Sequence, residues 1–198
     1  MILEGIVTTQ NADGTTNVAP MGPIVDEGIT RLTLRPFRTS TTYANLKRTG
    51  CGVLHVTDDV LLLAQGAIGR IAEVPAMFAA TQVDGMVLAD ACRWYEFRVT
   101  SLDDATERTV IEAAVVHTGR LRDFFGFNRA KHAVLEAAIL ATRLHLLPIA
   151  DVRRQLAELR IPMEKTAGPR EREAFELIER YVEEWATNAM SQPPERVV

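Results

Sequence analysis

The sequence predicts an antiparallel β-barrel followed by a C-terminal helical segment. Up to Phe127 the chain offers five or six short segments of strand character, joined mostly by turn residues and without regular strand-helix alternation. From Arg129 onward it becomes rich in alanine and leucine at helical spacing. Between the third and fourth strands stands one short helix whose start, RPFRTSTTYANL from Arg35 to Leu46, collects two arginines and four consecutive hydroxyls.

The first two strands, Ile2 to Thr9 and Thr16 to Val25, form a hairpin turned by Asn11, Asp13 and Gly14. The second contains Pro20 and Pro23, which cannot donate ladder hydrogen bonds, so it belongs at an edge or bends. Free backbone groups from Asn17 to Gly22, with small residues Ala19 and Gly22, suit the close approach of a flat heterocycle. A plain barrel rim fits the same residues.

Ile29 to Arg35 alternates Arg31, Thr33 and Arg35 with Thr30, Leu32 and Leu34, the period of a half-buried strand. After Pro36, Thr39, Ser40, Thr41 and Thr42 supply candidate N-caps for a helix over Tyr43 to Arg48, which Gly50 closes. Free amides and the positive end of the helix dipole then lie beside Arg35 and Arg38, as an anion site requires. Arginine suits it because its planar fork binds oxyanions bidentately and stays charged. The competing arrangement is a capped surface helix with solvated arginines.

The strand GCGVLHV follows, with His55 read as a packed core residue rather than a catalytic group. Leu61 to Ile71 fits a short helix or a buried strand, and is read as helix. Trp94 to Thr100 alternates Trp94, Glu96, Arg98 and Thr100 against Tyr95, Phe97 and Val99; Thr109 to His117 returns after a turn at Asp103 and Asp104. A helix over Arg129 to Leu147 presents Ala133, Val134, Ala137, Leu140, Ala141 and Leu144 on one face. A second opens at Pro148 and ends at Pro162, and a third runs from Gly168-Pro169 to about Ala189. Three segments result: a barrel domain over 1–127, a helical segment over 128–190 packed on the barrel or on a second subunit, and a flexible tail over 191–198.

A net charge of −4 over 198 residues gives no general attraction to nucleic acid or to anionic membranes. Arg153, Arg154 and Arg160 are balanced by Asp151 and Glu158 and read as a solvated face. Two cysteines, Cys51 and Cys92, make no disulfide framework, no export signal opens the chain and no apolar run spans a bilayer, so a cytoplasmic protein is expected. No dinucleotide fingerprint, P-loop, zinc motif or nucleophile elbow occurs. His132 and His145 face different ways on their helix and make no metal pair. No metal site and no catalytic side chain are assigned.

With the strand NVAPMGP, the turn and helix RPFRTSTTYANLKRTG and the strand CGVLHV, the chain resembles the FMN-binding split-barrel superfamily, the fold of flavin reductase-like proteins. Within it the likeness is to an uncharacterised archaeal and bacterial family with a C-terminal helical segment, carried by FGFNRAKHAVLEAAILATRL. The resemblance implies a Greek-key split barrel and a homodimer with FMN near the interface. It places Asn17, Ala19, Pro20 and Met21 along the flavin ring and Arg35, Arg38, Thr39, Ser40, Thr41 and Thr42 on its phosphate. It matches Asn45 to a helix asparagine of flavin reductase-like proteins, and makes Asn128 and Arg129 further flavin or substrate contacts.

One departure stands out. Flavin reductases of this fold usually carry Gly-Asp-His on a late strand, and ERTVIEAAVVHTGRLRD lacks it, which speaks against NAD(P)H-dependent flavin reduction and for a different hydride partner or a tightly bound prosthetic flavin. The expected function is an FMN-dependent oxidoreductase of unknown substrate. The alternatives are a homodimer that keeps the barrel without flavin and acts as a structural or interaction protein, and a site for a deazaflavin or pyridoxal phosphate.

Overall fold

The computed structural model describes residues 1–191. In order, the chain forms β1 (Gly5–Gln10), β2 (Thr16–Met21), β3 (Ile24–Val25), β4 (Arg31–Leu34), α1 (Thr41–Thr49), β5 (Cys51–Val56), α2 (Val60–Ala67), β6 (Met77–Ala79) and β7 (Met86–Leu88). There follow β8 (Arg93–Asp103), β9 (Val110–Arg120), α3 (Arg129–Ala141), α4 (Ile149–Thr166) and α5 (Pro169–Ser191).

Seven strands make one antiparallel sheet in the order β2-β1-β5-β8-β9-β4-β3. Its ends curl toward each other, because residues ahead of β1 bond to the far edge: Leu3 N–H donates to Pro23 O and Val25 N–H to Met1 O. Two irregularities in the β8–β9 pairing, at Glu96/Phe97 and Val99/Ser101, supply extra bend. The concave face is filled by Val7, Leu32, Leu34, Leu54, Phe97 and Ile111, and Tyr43 and Leu46 of α1 plug it. Burying side chains of this size from water, about 1.5 to 3 kcal/mol each, is the main force holding the curl closed.

On the other face, β6 and β7 form a separate two-stranded sheet that sequence periodicity did not reveal. They cover Cys51 and Val53 with Val83 and Val87. Glu96, fully buried, accepts from Thr81 N–H at 2.9 Å, Gln82 N–H at 2.5 Å and Trp94 Nε1–H at 3.2 Å. The Trp94 indole lies where a Cβ on Gly119 would stand, so only glycine fits there.

Most expected elements occur with shifted ends. The strand expected over Thr16 to Val25 is broken at Gly22-Pro23 into β2 and β3, and β2 lies at the sheet edge, where Pro20 is tolerated. The helix expected from Tyr43 begins at Thr41, because Ser40 is its cap. The helix expected to reach Leu147 stops at Ala141, where tighter bonds such as Arg143 N–H to Leu140 O take over. Pro162 does not end α4. The helix continues to Thr166, held by buried Met163, by Thr166 Oγ1–H to Pro162 O at 2.8 Å and by Asn128 Nδ2–H to Thr166 O at 3.1 Å.

The chain divides into two compact units, one of Met1–Asp58 with Glu73–Phe125, the other of Asp59–Ala72 with the chain from Gly126. Sequence patterning grouped Leu61 to Ile71 with the barrel, whereas α2 packs with α3 and α5 in the helical unit. That unit buries Val60, Leu61 and Leu63 of α2 with the alanine face of α3 and with Phe175, Ile178 and Val182 of α5. Lys131 and Glu171 form a largely buried ion pair at 2.9 Å in it. Among the described residues no helix is long and apolar enough to cross a membrane. The expected tail over 191–198 lies, but for Ser191, outside the described residues.

Candidate functional site

The site begins where β4 runs out. Leu34 pairs with Ile111, and the same register continues to Phe37 opposite Arg108. Thr109 N–H donates to Pro36 O at 3.0 Å and Arg38 N–H to Glu107 O at 2.9 Å, which extends the ladder past β4. Pro36 therefore faces the core, whereas Arg35 and Phe37 face solvent.

Ser40 N–H to Phe37 O at 2.9 Å then closes a turn, and Ser40 caps α1 by accepting from Tyr43 N–H at 3.2 Å. Gly50, in the left-handed region at φ 67°, ends the helix with its N–H on Leu46 O. The amides of Thr41 and Thr42 precede the first intrahelical acceptor and carry the positive end of the dipole. Arg35, Arg38, Thr39 and Thr41 are exposed around them, and Ser40 is half-buried. Among the described residues neither guanidinium is in an ion pair. That donor set suits a phosphate.

Thr42 plays a different part. It is buried, and its Oγ1 accepts from Asn17 Nδ2–H at 3.1 Å. Asn17 Nδ2–H also reaches Thr9 Oγ1 at 3.3 Å, so both amide protons are engaged and Oδ1 remains the acceptor. Ala19, Pro20 and Met21 continue along the half-buried edge strand opposite Val7, Ile6 and Gly5. Asn45, also buried, donates to Thr9 Oγ1 at 3.0 Å and to Asn11 Oδ1 at 2.8 Å. Its amide protons hold α1 to β1 and the turn beyond it.

The structure brings Asn17, Ala19, Pro20, Met21, Arg35, Arg38, Thr39, Ser40, Thr41, Thr42 and Asn45 into the barrel unit, where the Asn17–Thr42 bond joins strand to helix. Asn128 and Arg129 belong to the helical unit. There Asn128 caps α3, accepting from Ala130 N–H at 2.9 Å and Lys131 N–H at 3.1 Å.

Sequence reading missed a support for α1. Tyr43 Oη–H donates to Asp104 at 2.6 Å, and Lys47 Nζ reaches the same carboxylate at 2.7 Å and the Tyr43 hydroxyl at 3.0 Å. Lys47 first, then Tyr43, hold the Asp104 carboxyl at about 2, well below its ordinary value, with a smaller contribution from Arg38. Tyr43 and Lys47 stand one turn apart and were legible as one helix face. Asp104, read only as a turn acid, is not local to them.

His55 is buried between Ile6 O, 3.1 Å from Nδ1, and Leu88 N–H, which donates to Nε2 at 3.1 Å. Desolvation pushes it down to about 4, so it is a neutral core residue, as the sequence suggested. Among the described residues no cluster of His, Cys, Asp or Glu could hold a metal.

The curled antiparallel sheet, with its small-residue edge strand and its arginine-flanked helix start, is a split β-barrel. The chain belongs to the family described as protein of unknown function DUF447, whose N-terminal domain model matches residues 3–122 and whose second model matches 128–180. It is similar to an FMN-bound DUF447 protein from Methanosarcina mazei, with a TM-score of 0.77 and 24% identity over 91% of this chain and 94% of that one. It is also similar to a flavoredoxin from Methanosarcina acetivorans, with a TM-score of 0.51 and 10% identity over 61% and 69% of the two chains. An FMN-binding protein from Thermus thermophilus with bound p-hydroxybenzaldehyde gives 0.50 and 12% over 60% and 71%. These likenesses establish the split-barrel fold that the sequence resemblance implied.

Proposed function

We propose that this chain binds FMN and works as a homodimeric, cytoplasmic oxidoreductase of flavin reductase-like type. The observation that carries the reading is the Asn17–Thr42 hydrogen bond, which locks a small-residue edge strand beside a capped helix start flanked by two arginines outside any ion pair among the described residues. The FMN named for the Methanosarcina mazei protein, a member of the same family, supports it.

The residues present fit the cofactor. Arg35 and Arg38 can fork onto a phosphate, with the first-turn amides and the Thr39 and Thr41 hydroxyls completing its donors. Asn17 Oδ1 offers an acceptor to an N–H or hydroxyl, and Ala19 leaves room beside the strand for a flat ring. FMN would bring hydride and electron transfer, while the chain binds, orients and shields it. Exposed Val116, Leu121 and Phe124 on β9 and the loop after it give a second copy an apolar surface. Both cysteines are free and buried, as suits a reducing compartment.

The test is titration of the purified protein with FMN and riboflavin, read by flavin absorbance and fluorescence. Tight FMN with much weaker riboflavin is expected. Binding of neither would overturn the flavin reading in favour of a structural or interaction protein. Light scattering should give twice the chain mass, and a monomer would overturn the homodimer.

A further inference from the structure

Phe37 is out of place on an ordinary surface. It is 53% exposed, it faces the same side as Arg35, and the Arg108 guanidinium carbon lies 5.3 Å from its ring centroid. The backbone forces that pairing, since Phe37 and Arg108 are direct partners in the extended β4–β9 ladder. Nor is the platform remote from the phosphate donors. The Phe37 carbonyl accepts from Ser40 N–H, so the ring's own residue opens the turn that Ser40 closes, with the α-carbons within about 7 Å of each other.

A flat aromatic face paired with a planar cation is a sequence-tolerant stacking surface for a nucleobase. Beside a phosphate clamp it suits a base joined to that phosphate through a ribose and a second phosphate. Resting on the flavin reading above, we infer that Phe37 and Arg108 form a subsite for the adenine of an adenosine diphosphate moiety whose phosphates extend from the Arg35–Arg38 turn. The ligand that carries that moiety on a phosphate seated in the clamp is flavin adenine dinucleotide, taking the place of FMN. Arg35 serves the phosphate, Phe37 the base, and the two lie one side-chain repeat apart on one strand face.

The experiment measures binding of FMN and of flavin adenine dinucleotide to the protein freed of flavin. Each is repeated with Phe37→Ala, Phe37→Leu and Phe37→Tyr. If the dinucleotide replaces FMN, both truncations should weaken it by about tenfold with FMN affinity unchanged, and Phe37→Tyr should restore it, as base stacking of this kind implies. Phe37→Leu keeps an apolar side chain, so equal loss in Leu and Ala assigns the effect to the π-face.

A dinucleotide affinity that ignores every change at Phe37, or is no tighter than that of FMN, would overturn the inference while FMN binding stands. Equal loss of FMN and dinucleotide would also overturn it, by marking Phe37 as part of the phosphate turn's scaffold. Failure of FMN itself to bind is the separate failure of the flavin reading.

Discussion

Asn17 on the edge strand and Thr42 in the first turn of α1 are joined by a hydrogen bond of 3.1 Å across 25 residues of chain. The acceptor is buried and the donor half-buried, so the bond fixes where the helix starts relative to the strand. The coupling is measurable. Thr42→Val should cost about 1 to 2 kcal/mol in urea unfolding by leaving an amide proton unmatched. Combined with Asn17→Ala it should cost less than the sum, by about 0.5 kcal/mol or more. Strict additivity would show that the bond contributes nothing.

Arg35→Ala should weaken FMN by about 1.5 kcal/mol, roughly tenfold in Kd. This is the low end for a charge-assisted bond, because the side chain is exposed. Riboflavin affinity should not change. Loss of both equally would place Arg35 away from the phosphate.

Ser40→Ala should lower stability by about 1 kcal/mol through loss of the α1 cap. FMN affinity should fall with it, since the cap holds the first-turn amides in place. Calorimetry with and without FMN separates the two effects.

His55 makes stability depend on pH. Its pKa is about 4 in the fold and 6.5 when unfolded, so between these values the unfolded chain binds a proton that the native chain does not. Its contribution is complete above pH 6.5 and is lost progressively as pH falls to about 4, by up to roughly 3 kcal/mol. In His55→Gln that slope should vanish between pH 6.5 and 4.5, where most carboxylates remain ionised. An unchanged slope would assign it to other groups.

Gly119→Ala should cost about 2 kcal/mol or more, because the added methyl meets the Trp94 indole. Trp94 also donates to Glu96 and meets Phe78 edge-on at 5.7 Å, so its fluorescence should shift as well.

Much of this was legible because it is local. Alternation gave Leu32 and Leu34 to the core and Arg35 to the outside, and Pro20 in β2 announced an edge. The hydroxyl run fixed the start of α1 to within two residues. What escaped is held by distant partners. The alternation of β8 put Glu96 on the face of Trp94 without showing that Thr81 and Gln82 bring their N–H groups to it, and nothing local to Asn45 showed that Thr9 and Asn11 take its amide protons. Pro162 misled for the same reason: proline breaks helices in isolation, but Asn128, outside the helix, holds its last turn and the buried Met163 anchors it in the helical unit.

The segment Asp59–Ala72 leaves the barrel unit, contributes α2 to the helical unit and returns, so the chain passes from one unit to the other three times. A single cut cannot separate them. Expressing the chain only to residue 127 would strand Val60, Leu61 and Leu63 without α3 and α5, and the product should aggregate or need detergent. The same threading constrains descent: neither half can be traded between genes as a contiguous cassette, and gain or loss of the helical part by simple fusion or truncation would damage the partner left behind.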